Sequence, residues 1–172
     1  MSLKNRFIAW QINQRGKSLN RRIRAVNLAQ VQTAGIIWKI EDSDVFKMLV
    51  ELLKELGIQI SSICFADQPG SVRGEVIFSP ADFSFFGKVN NEELDGFIKH
   101  EFDLLIDISL ATGLEAQYVR ALSKARFKVG WSDTTPDYFD LSIDIRNRRE
   151  PSFLAEQIIH YLSEINKKEK IK

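Results

Sequence analysis

From about residue 35 onward, short apolar runs rich in β-forming residues alternate with longer segments of helical periodicity. This alternation is typical of a mostly parallel sheet with helices packed on its faces. The sequence therefore predicts an α/β fold: a Rossmann-like three-layer domain with a mostly parallel sheet, preceded by a basic N-terminal helical arm. The expected strands lie at 35–40, 58–65, 75–78, 102–108, 127–131 and 139–145.

Helix signals fill the intervals between the expected strands. Apolar residues from Val45 to Leu56 recur with the 3.6-residue period, and Gly57 follows them at the place where helices commonly end. A second helix is expected to start near Asn90 or Asn91, a third to span 112–125, and a fourth to begin at Pro151. The chain is thus divided into a basic N-terminal helical arm (1–34), a Rossmann-like α/β domain (35–166) and a frayed tail (167–172).

The arm is expected to contain a helix that ends near residue 14. Leu3, Phe7 and Trp10 fall on one narrow stripe of that helix, and Ile8 and Ile12 point away from it. We expect the stripe to pack against an aromatic segment just after Pro80, although exposed rings there can also anchor a partner. The residues of this candidate aromatic docking site are Phe7, Trp10, Phe83, Phe85 and Phe86.

The charge of the chain is divided unevenly. The first forty residues contain eight Lys or Arg and no Asp or Glu, whereas the other 132 contain 16 basic and 23 acidic residues. A block of one sign usually meets a surface of the opposite sign. The arm is therefore expected to contact an anionic macromolecule, with RNA or a ribonucleoprotein favoured over a membrane surface, or to pair with the acidic body in a homo-oligomer. The basic residues concerned are Lys4, Arg6, Arg15, Lys17, Arg21, Arg22 and Arg24.

Two strand segments share the pattern F-D-L-x-I-D-I, beginning at Phe102 and at Phe139. In each copy the second Asp would lie near the carboxyl end of a strand, where open α/β sheets bind ligands. One interpretation is an acidic edge that serves a ligand, a metal or proton transfer. The other is that each Asp accepts backbone N–H bonds and fixes the following loop. The candidate acidic edge comprises Asp42, Asp67, Asp107, Asp133 and Asp144.

Motifs of catalysis and cofactor binding are missing from the sequence. It contains no G-x-G-x-x-G and no Walker A pattern, and His100 and His160 stand apart from any metal-ligand spacing. Cys64 lies mid-strand among apolar residues, as inert buried thiols do. We therefore expect a non-enzymatic protein with no cofactor, no resident metal and no catalytic residue.

A cytoplasmic location is expected from the same sequence. The lone cysteine cannot form an intrachain disulfide, and no secretory leader or apolar run of about 20 residues is evident. Two alternative functions stay open. One is a small ligand-binding or glycosyltransferase-like enzyme domain that uses the acidic edge, and the other is a peripheral membrane protein anchored by the arm.

Three segments carry a resemblance that spans the whole chain: 3–12, 83–88 and the F-D-L-L-I-D-I-S strand. Together they resemble an uncharacterised bacterial family of α/β proteins of about this length, which implies the architecture and no assigned activity. More remotely, 102–109 followed by 121–131 is similar to a strand-helix-strand unit in the N-terminal domain of heptosyltransferase-type glycosyltransferases.

Overall fold

A computed structural model describes residues 2–68 and 74–165. Among them, six strands form one sheet in which every adjacent pair is parallel, in the order β3-β2-β1-β4-β5-β6. The α/β fold class predicted from the sequence is confirmed. The strands are β1 (Thr33–Lys39), β2 (Gln59–Phe65), β3 (Ile77–Phe78), β4 (Leu104–Asp107), β5 (Lys128–Gly130) and β6 (Leu141–Ser142). The helices are α1 (Leu3–Ser18), α2 (Ser43–Glu55), α3 (Glu92–Lys99), α4 (Leu114–Leu122) and α5 (Pro151–Glu164), with short 3₁₀ turns at Leu28–Gln30, Ile40–Asp42 and Pro80–Asp82.

The chain winds outward from the centre of the sheet in both directions. β1 pairs with β2 on one side and with β4 on the other, so Ile37 lies opposite both Ile63 and Asp107. The strand order therefore reverses between β1 and β4, which places a topological switch point at their carboxyl ends. Open α/β sheets usually bind ligands at that point.

Two apolar layers cover the two faces of the sheet. Helices α2 and α5 pack on one face, where Leu49, Leu53 and Ile158 are almost fully buried. Helices α3 and α4 cover the other face, and α1 packs against α4. Close packing requires a glycine in β1, because a Cβ at Gly35 would lie 2.9 Å from the rings of Phe97 and Phe102. The result is the three-layer arrangement that the alternating sequence pattern predicts.

Element boundaries differ from the expected ones by a few residues. The first strand begins at Thr33, two residues inside the expected arm, and β6 is limited to two residues. Gly57 has a φ of 77° just after α2, which is the left-handed conformation that glycine adopts readily at a helix end. Tyr161 lies on the solvent side of α5 and is 46% exposed. The tail at 167–172 lies outside the described residues.

Helix α1 is rotated relative to the expected orientation. Ile8 and Ile12 are buried, whereas the stripe that was expected to pack inward, Leu3, Phe7 and Trp10, is largely exposed. The reason lies in the row 8-12-16, whose members share one helix face. Gly16 ends this row, and its small size lets α1 approach α4 until a Cβ at this position would lie 3.8 Å from that of Ala121. The helix therefore continues past Gly16 to Ser18, four residues beyond the expected end.

Candidate anion-binding cleft

The segment after α1 crosses the amino end of the sheet and is fixed there by Arg21. Its guanidinium donates two hydrogen bonds to the Asp140 carboxylate, Nη1 to Oδ2 at 2.6 Å and Nη2 to Oδ1 at 2.7 Å. It also donates to the carbonyl of Ala125 at 3.1 Å. Both side chains of the ion pair are nearly buried. Arg21 is therefore a structural residue that ties the arm to the strand ends.

The first Asp of each F-D-L-x-I-D-I copy has the same structural role. Asp103 accepts a hydrogen bond from the backbone N–H of Thr33, the first residue of β1, at 3.1 Å. Asp140 accepts one from the backbone N–H of Lys128, the first residue of β5, at 2.8 Å. In each copy the carboxylate satisfies the first amide of the neighbouring strand. The repeated motif thus reflects a repeated need at the amino end of the sheet.

The basic residues predicted for partner binding fall into two groups. Lys4, Arg15 and Arg21 are engaged by the body: Lys4 donates to the Pro80 carbonyl, and Arg15 Nη1 donates to the Tyr118 hydroxyl at 2.8 Å. Arg6, Arg22 and Arg24 are exposed and make no side-chain hydrogen bond or ion pair with any residue that the structure describes. Lys17 belongs to α1, but its side chain lies outside the described part of the chain.

Two of the unengaged arginines line a cleft of about 570 Å³ at the amino end of the sheet. Arg22 and Arg24 form one wall, and Lys124 and Arg126 come from the segment between α4 and β5. The backbone N–H of Arg24 donates to the Arg126 carbonyl at 3.2 Å, which joins the two segments. The complete lining is Asn20, Arg21, Arg22, Arg24, Glu101, Lys124 and Arg126. We call this the amino-edge cleft.

The amino-edge cleft is strongly cationic. Arg22, Arg24 and Lys124 have no acidic partner among residues 2–68 and 74–165, whereas Glu101 is the single acid in the lining. Arg126 is balanced by Asp103, whose Oδ1 lies 3.2 Å from its Nη1. Clefts lined by one sign of charge concentrate ions of the other sign. The chemistry of this cleft suits a phosphate or another multivalent anion.

Lys128 lies near this end of the sheet but is closed off from the cleft. Its ammonium donates to the carbonyl of Arg120 at 2.5 Å, near the end of α4, and is almost fully buried. Burial lowers the pKa of Lys128 to about 7; the positive charge of Arg21 adds to this effect and Asp140 opposes it. Cations at a helix C-terminus interact favourably with its unpaired carbonyls. Lys128 therefore fixes the end of α4 and does not face solvent.

The candidate acidic edge is not one site. Asp107 is 1% exposed, and its Oδ2 accepts from Arg120 Nε at 2.6 Å inside the α4 face of the sheet. Asp144 is an exposed residue beyond β6 whose carboxylate accepts from Arg146; that hydrogen bond lowers the pKa of Asp144 to about 2. Asp107 and Asp144 therefore lie in different environments, each with its own arginine.

The remaining acidic candidates are also separate from Asp107. Asp133 and Asp144 line a shallow cleft of about 300 Å³, and Asp133 lies 3.8 Å from Arg149. Asp42 precedes α2, where burial, followed by the charge of Glu41, raises its pKa, and Asp67 is exposed beyond β2. Among the described residues, no group of three or more His, Cys, Asp or Glu side chains has a geometry that could hold a metal ion.

The second Asp of each sequence copy closes the loop that follows it. Asp107 Oδ1 accepts from the backbone N–H of Ser109 at 2.9 Å, and Asp144 Oδ1 accepts from that of Arg146 at 3.0 Å. Each bond spans two residues, as in turns stabilised by Asp side chains. These contacts support the interpretation that the carboxylates fix loops.

The aromatic candidates are divided between core and surface. Phe83 is buried, with its ring centroid 5.2 Å from that of Tyr118. Phe7, Phe85 and Phe86 contact one another at the surface, and Trp10, which is 59% exposed, lines a shallow depression together with Phe7. Cys64 is buried, and its burial raises the thiol pKa to about 11. The structure therefore brings most of the aromatic residues together, but as an exposed cluster.

A larger cleft of about 990 Å³ lies between α1, α3 and the segment before α3. Its lining includes Arg15, Lys99, Asp95 and Glu92, so both signs of charge are present. Lys99 and Asp95 already pair with each other at 2.5 Å. This mixture selects no single class of ligand, in contrast to the amino-edge cleft.

Sequence reasoning missed Lys124 and Arg126 as members of the cleft. They lie 100 or more residues after Arg22 and Arg24 in the chain, and the pairing of β5 with β4 brings them to the arm. A sequence signal does exist, because the K-x-R pattern immediately before a strand places both cations at its amino end. That signal becomes informative only once the path of the arm is known.

The fold and the cleft define a parallel α/β domain with a basic surface at the amino ends of its strands. Residues 4–165 match the model of a family of unknown function, DUF6913, and the chain belongs to that family. Neither the curated proteins nor the solved structures contain a match to the chain. The similarity to heptosyltransferase-type enzymes therefore remains a hypothesis. Within the described residues, no helix is both long and apolar enough to cross a membrane.

Proposed function

We propose that this protein binds RNA through the amino-edge cleft and acts as a binding protein without catalysing a reaction. The observation that carries the proposal is the convergence on one concave surface of three cations, Arg22, Arg24 and Lys124, that form no ion pair within the described part of the chain. Arginine presents a planar fork of donors that matches a phosphate in two-point contact. A single-stranded RNA backbone supplies such phosphates in series. A protein that binds RNA in this way would act in the cytoplasm.

The shape of the cleft favours a polyanionic chain over a flat membrane. The cations line a recess of about 570 Å³, which a strand can enter. A flat bilayer surface matches protruding groups and does not follow the concave shape of such a recess.

The cleft is held in place before any ligand binds. Arg21 anchors the arm to Asp140, and the Arg24 amide is bonded to Arg126. Arg22 therefore extends from a fixed backbone between two anchored neighbours. A site that is organised in advance loses less conformational entropy on binding.

The alternative of an enzyme at the carboxyl edge has weaker support. Its central carboxylate, Asp107, is buried and already paired with Arg120. Asp133 and Asp144 are also close to arginines. Neutralised carboxylates are poorly suited to binding a metal or accepting a proton from a substrate.

The proposal is tested by fluorescence anisotropy with a labelled, short single-stranded RNA of mixed sequence. The variant R22A/R24A should bind at least about tenfold more weakly than the wild type, because two phosphate contacts are lost. The control K47A/K54A removes the same charge from exposed positions of α2, a helix that contributes no residue to the lining of the cleft. Equal affinities for the two variants would contradict the proposal, as would a wild-type protein that does not bind RNA at low salt.

A further inference from the structure

A second surface carries five large apolar side chains that are open to solvent. Leu3, Phe7 and Trp10 lie on the outer face of α1 and are 57%, 37% and 59% exposed. Phe85 and Phe86, on the loop after Phe83, are 54% and 64% exposed. Contiguous exposed apolar surface marks sites of interaction with proteins or membranes. We call these five residues the aromatic patch.

Helix and loop form one continuous surface. The ring centroid of Phe7 lies 5.5 Å from that of Phe86 and 6.3 Å from that of Phe85, and the two loop rings are 5.4 Å apart. The Gln11 side chain donates to the Phe86 carbonyl at 2.8 Å, which ties the loop to α1. The approach requires Gly87, where φ is 69° and a Cβ would lie 3.1 Å from Ile8.

The opposite face of α1 holds the patch in place. Ile8 and Ile12 are buried in the same apolar layer as α4, and Lys4 donates to the Pro80 carbonyl. Rotating α1 to hide Trp10 would expose both isoleucines. The outward position of the aromatic patch is therefore enforced by the packing beneath it.

Two exposed cations flank the aromatic patch, whereas Glu92 and Asp95 lie farther along the cleft of about 990 Å³ that Phe86 and Lys88 also line. Arg6 lines a shallow depression of about 400 Å³ together with Leu3, Phe7 and Trp10, and Lys88 is exposed two residues beyond Phe86. Neither side chain forms an ion pair within 2–68 or 74–165, and α1 contains no Asp or Glu. Aromatic and leucine side chains flanked by Arg and Lys are the composition of surfaces that rest on anionic lipid.

We propose that the aromatic patch docks the protein onto an anionic lipid surface. The alternative of a second copy is disfavoured because a two-fold contact through this patch would gather the positive charges of Arg6 and Lys88 from both copies in one interface. RNA is also disfavoured here, since the patch includes Leu3, whose exposed aliphatic side chain offers no ring for base stacking. This proposal is independent of RNA binding in the amino-edge cleft, which uses other residues.

Vesicle sedimentation tests the proposal directly, with phosphatidylcholine vesicles and with vesicles containing about 30% phosphatidylserine. The wild type should partition onto the anionic vesicles, with a blue shift of the Trp10 emission; Trp38 and Trp131 are buried and should contribute little change. W10A/F86A should reduce partitioning at least about tenfold. R6A/K88A should reduce it on anionic vesicles.

Matched controls distinguish binding through the aromatic patch from the effect of removing apolar or basic side chains elsewhere on the protein. M48A/L56A removes two exposed apolar side chains at α2 and should leave vesicle binding unchanged, as should R22A/R24A. Because the mutated patch residues are exposed, each variant is expected to retain the wild-type melting temperature. The proposal is overturned if the wild type does not bind anionic vesicles, or if M48A/L56A weakens binding as much as W10A/F86A does. Dimers in ultracentrifugation that W10A/F86A dissociates, without vesicle binding, would assign the patch to a second copy instead.

Discussion

Arg21 and Asp140 form a two-point ion pair that joins the basic arm to the amino end of the sheet. The guanidinium nitrogens lie 2.6 and 2.7 Å from the two carboxylate oxygens, and the side chains are 13% and 9% exposed. Asp140 also accepts from the first amide of β5. One arginine of the R-R-x-R sequence is thus committed to folding, which leaves Arg22 and Arg24 for a ligand.

Arg21→Ala should destabilise the protein by about 3 kcal/mol, because it leaves a buried carboxylate without its partner. Arg22→Ala, one residue away and exposed, should change the free energy of unfolding by less than about 0.5 kcal/mol. Urea denaturation followed by circular dichroism measures both. Equal effects of the two substitutions would contradict the division of the arm into structural and binding arginines.

The packing of α1 makes a second contrast. Ile8→Ala and Ile12→Ala should each cost about 2–4 kcal/mol, because each leaves a cavity in the layer against α4. Trp10→Ala, although it removes a larger side chain, should cost less than about 0.5 kcal/mol because Trp10 is 59% exposed. Thermal and urea denaturation of the three variants test this order. A larger loss for Trp10→Ala than for Ile8→Ala would show that the helix packs through its other face.

The buried pair of Asp107 and Arg120 predicts a third contrast. Asp107→Asn should destabilise by about 3–5 kcal/mol, because it leaves a buried guanidinium without a counter-charge. Asp144→Asn, at an exposed position in the equivalent place of the second sequence copy, serves as the matched control and should have little effect at neutral pH. Urea denaturation measures both effects, from the shift of the unfolding midpoint when the dependence of the unfolding free energy on urea concentration is unchanged. A comparable loss of unfolding free energy in both variants would contradict the assignment of Asp107 to a buried ion pair and of Asp144 to an exposed one.

Lys128 predicts a dependence of stability on pH. Its pKa is lowered to about 7 in the folded protein, so above pH 7 the unfolded chain binds the proton that the folded state has released. Stability should therefore rise from about pH 7 to 9, by about 1 kcal/mol per pH unit from this residue. Lys128→Met should flatten that rise when both proteins are unfolded in urea across the range. The same slope in both proteins would exclude Lys128 as its source.

The strand and helix pattern could be predicted from the sequence because local periodicity determines it. The helix from Val45 to Leu56, ended by Gly57, and the helix start at Pro151 are examples in which pattern and punctuation agree. The orientation of α1 could not be predicted in the same way. Both of its faces carry apolar residues, and the choice depends on Gly16 meeting Ala121, which lies in a distant part of the chain.

The candidate site shows the same limit. The charge of the arm indicated that Arg22 and Arg24 bind a partner. Nothing in the sequence shows that Arg21, the residue before them, forms an ion pair with Asp140 instead. The F-D-L-x-I-D-I echo likewise indicated two matching strands without revealing what its carboxylates bind. Their partners, Thr33 and Lys128, are set by strand order, which is a property of the whole sheet.

The salt dependence of RNA affinity tests the central claim most directly. For single-stranded RNA, each phosphate contact contributes about 0.7 to the negative slope of log affinity against log salt concentration. The three exposed cations of the amino-edge cleft, Arg22, Arg24 and Lys124, predict a slope of about −2 for the wild type, and R22A/R24A should reduce its magnitude by about 1.4. K47A/K54A should keep the wild-type slope. A slope that R22A/R24A leaves unchanged, or that K47A/K54A reduces equally, would contradict the assignment of RNA to this cleft.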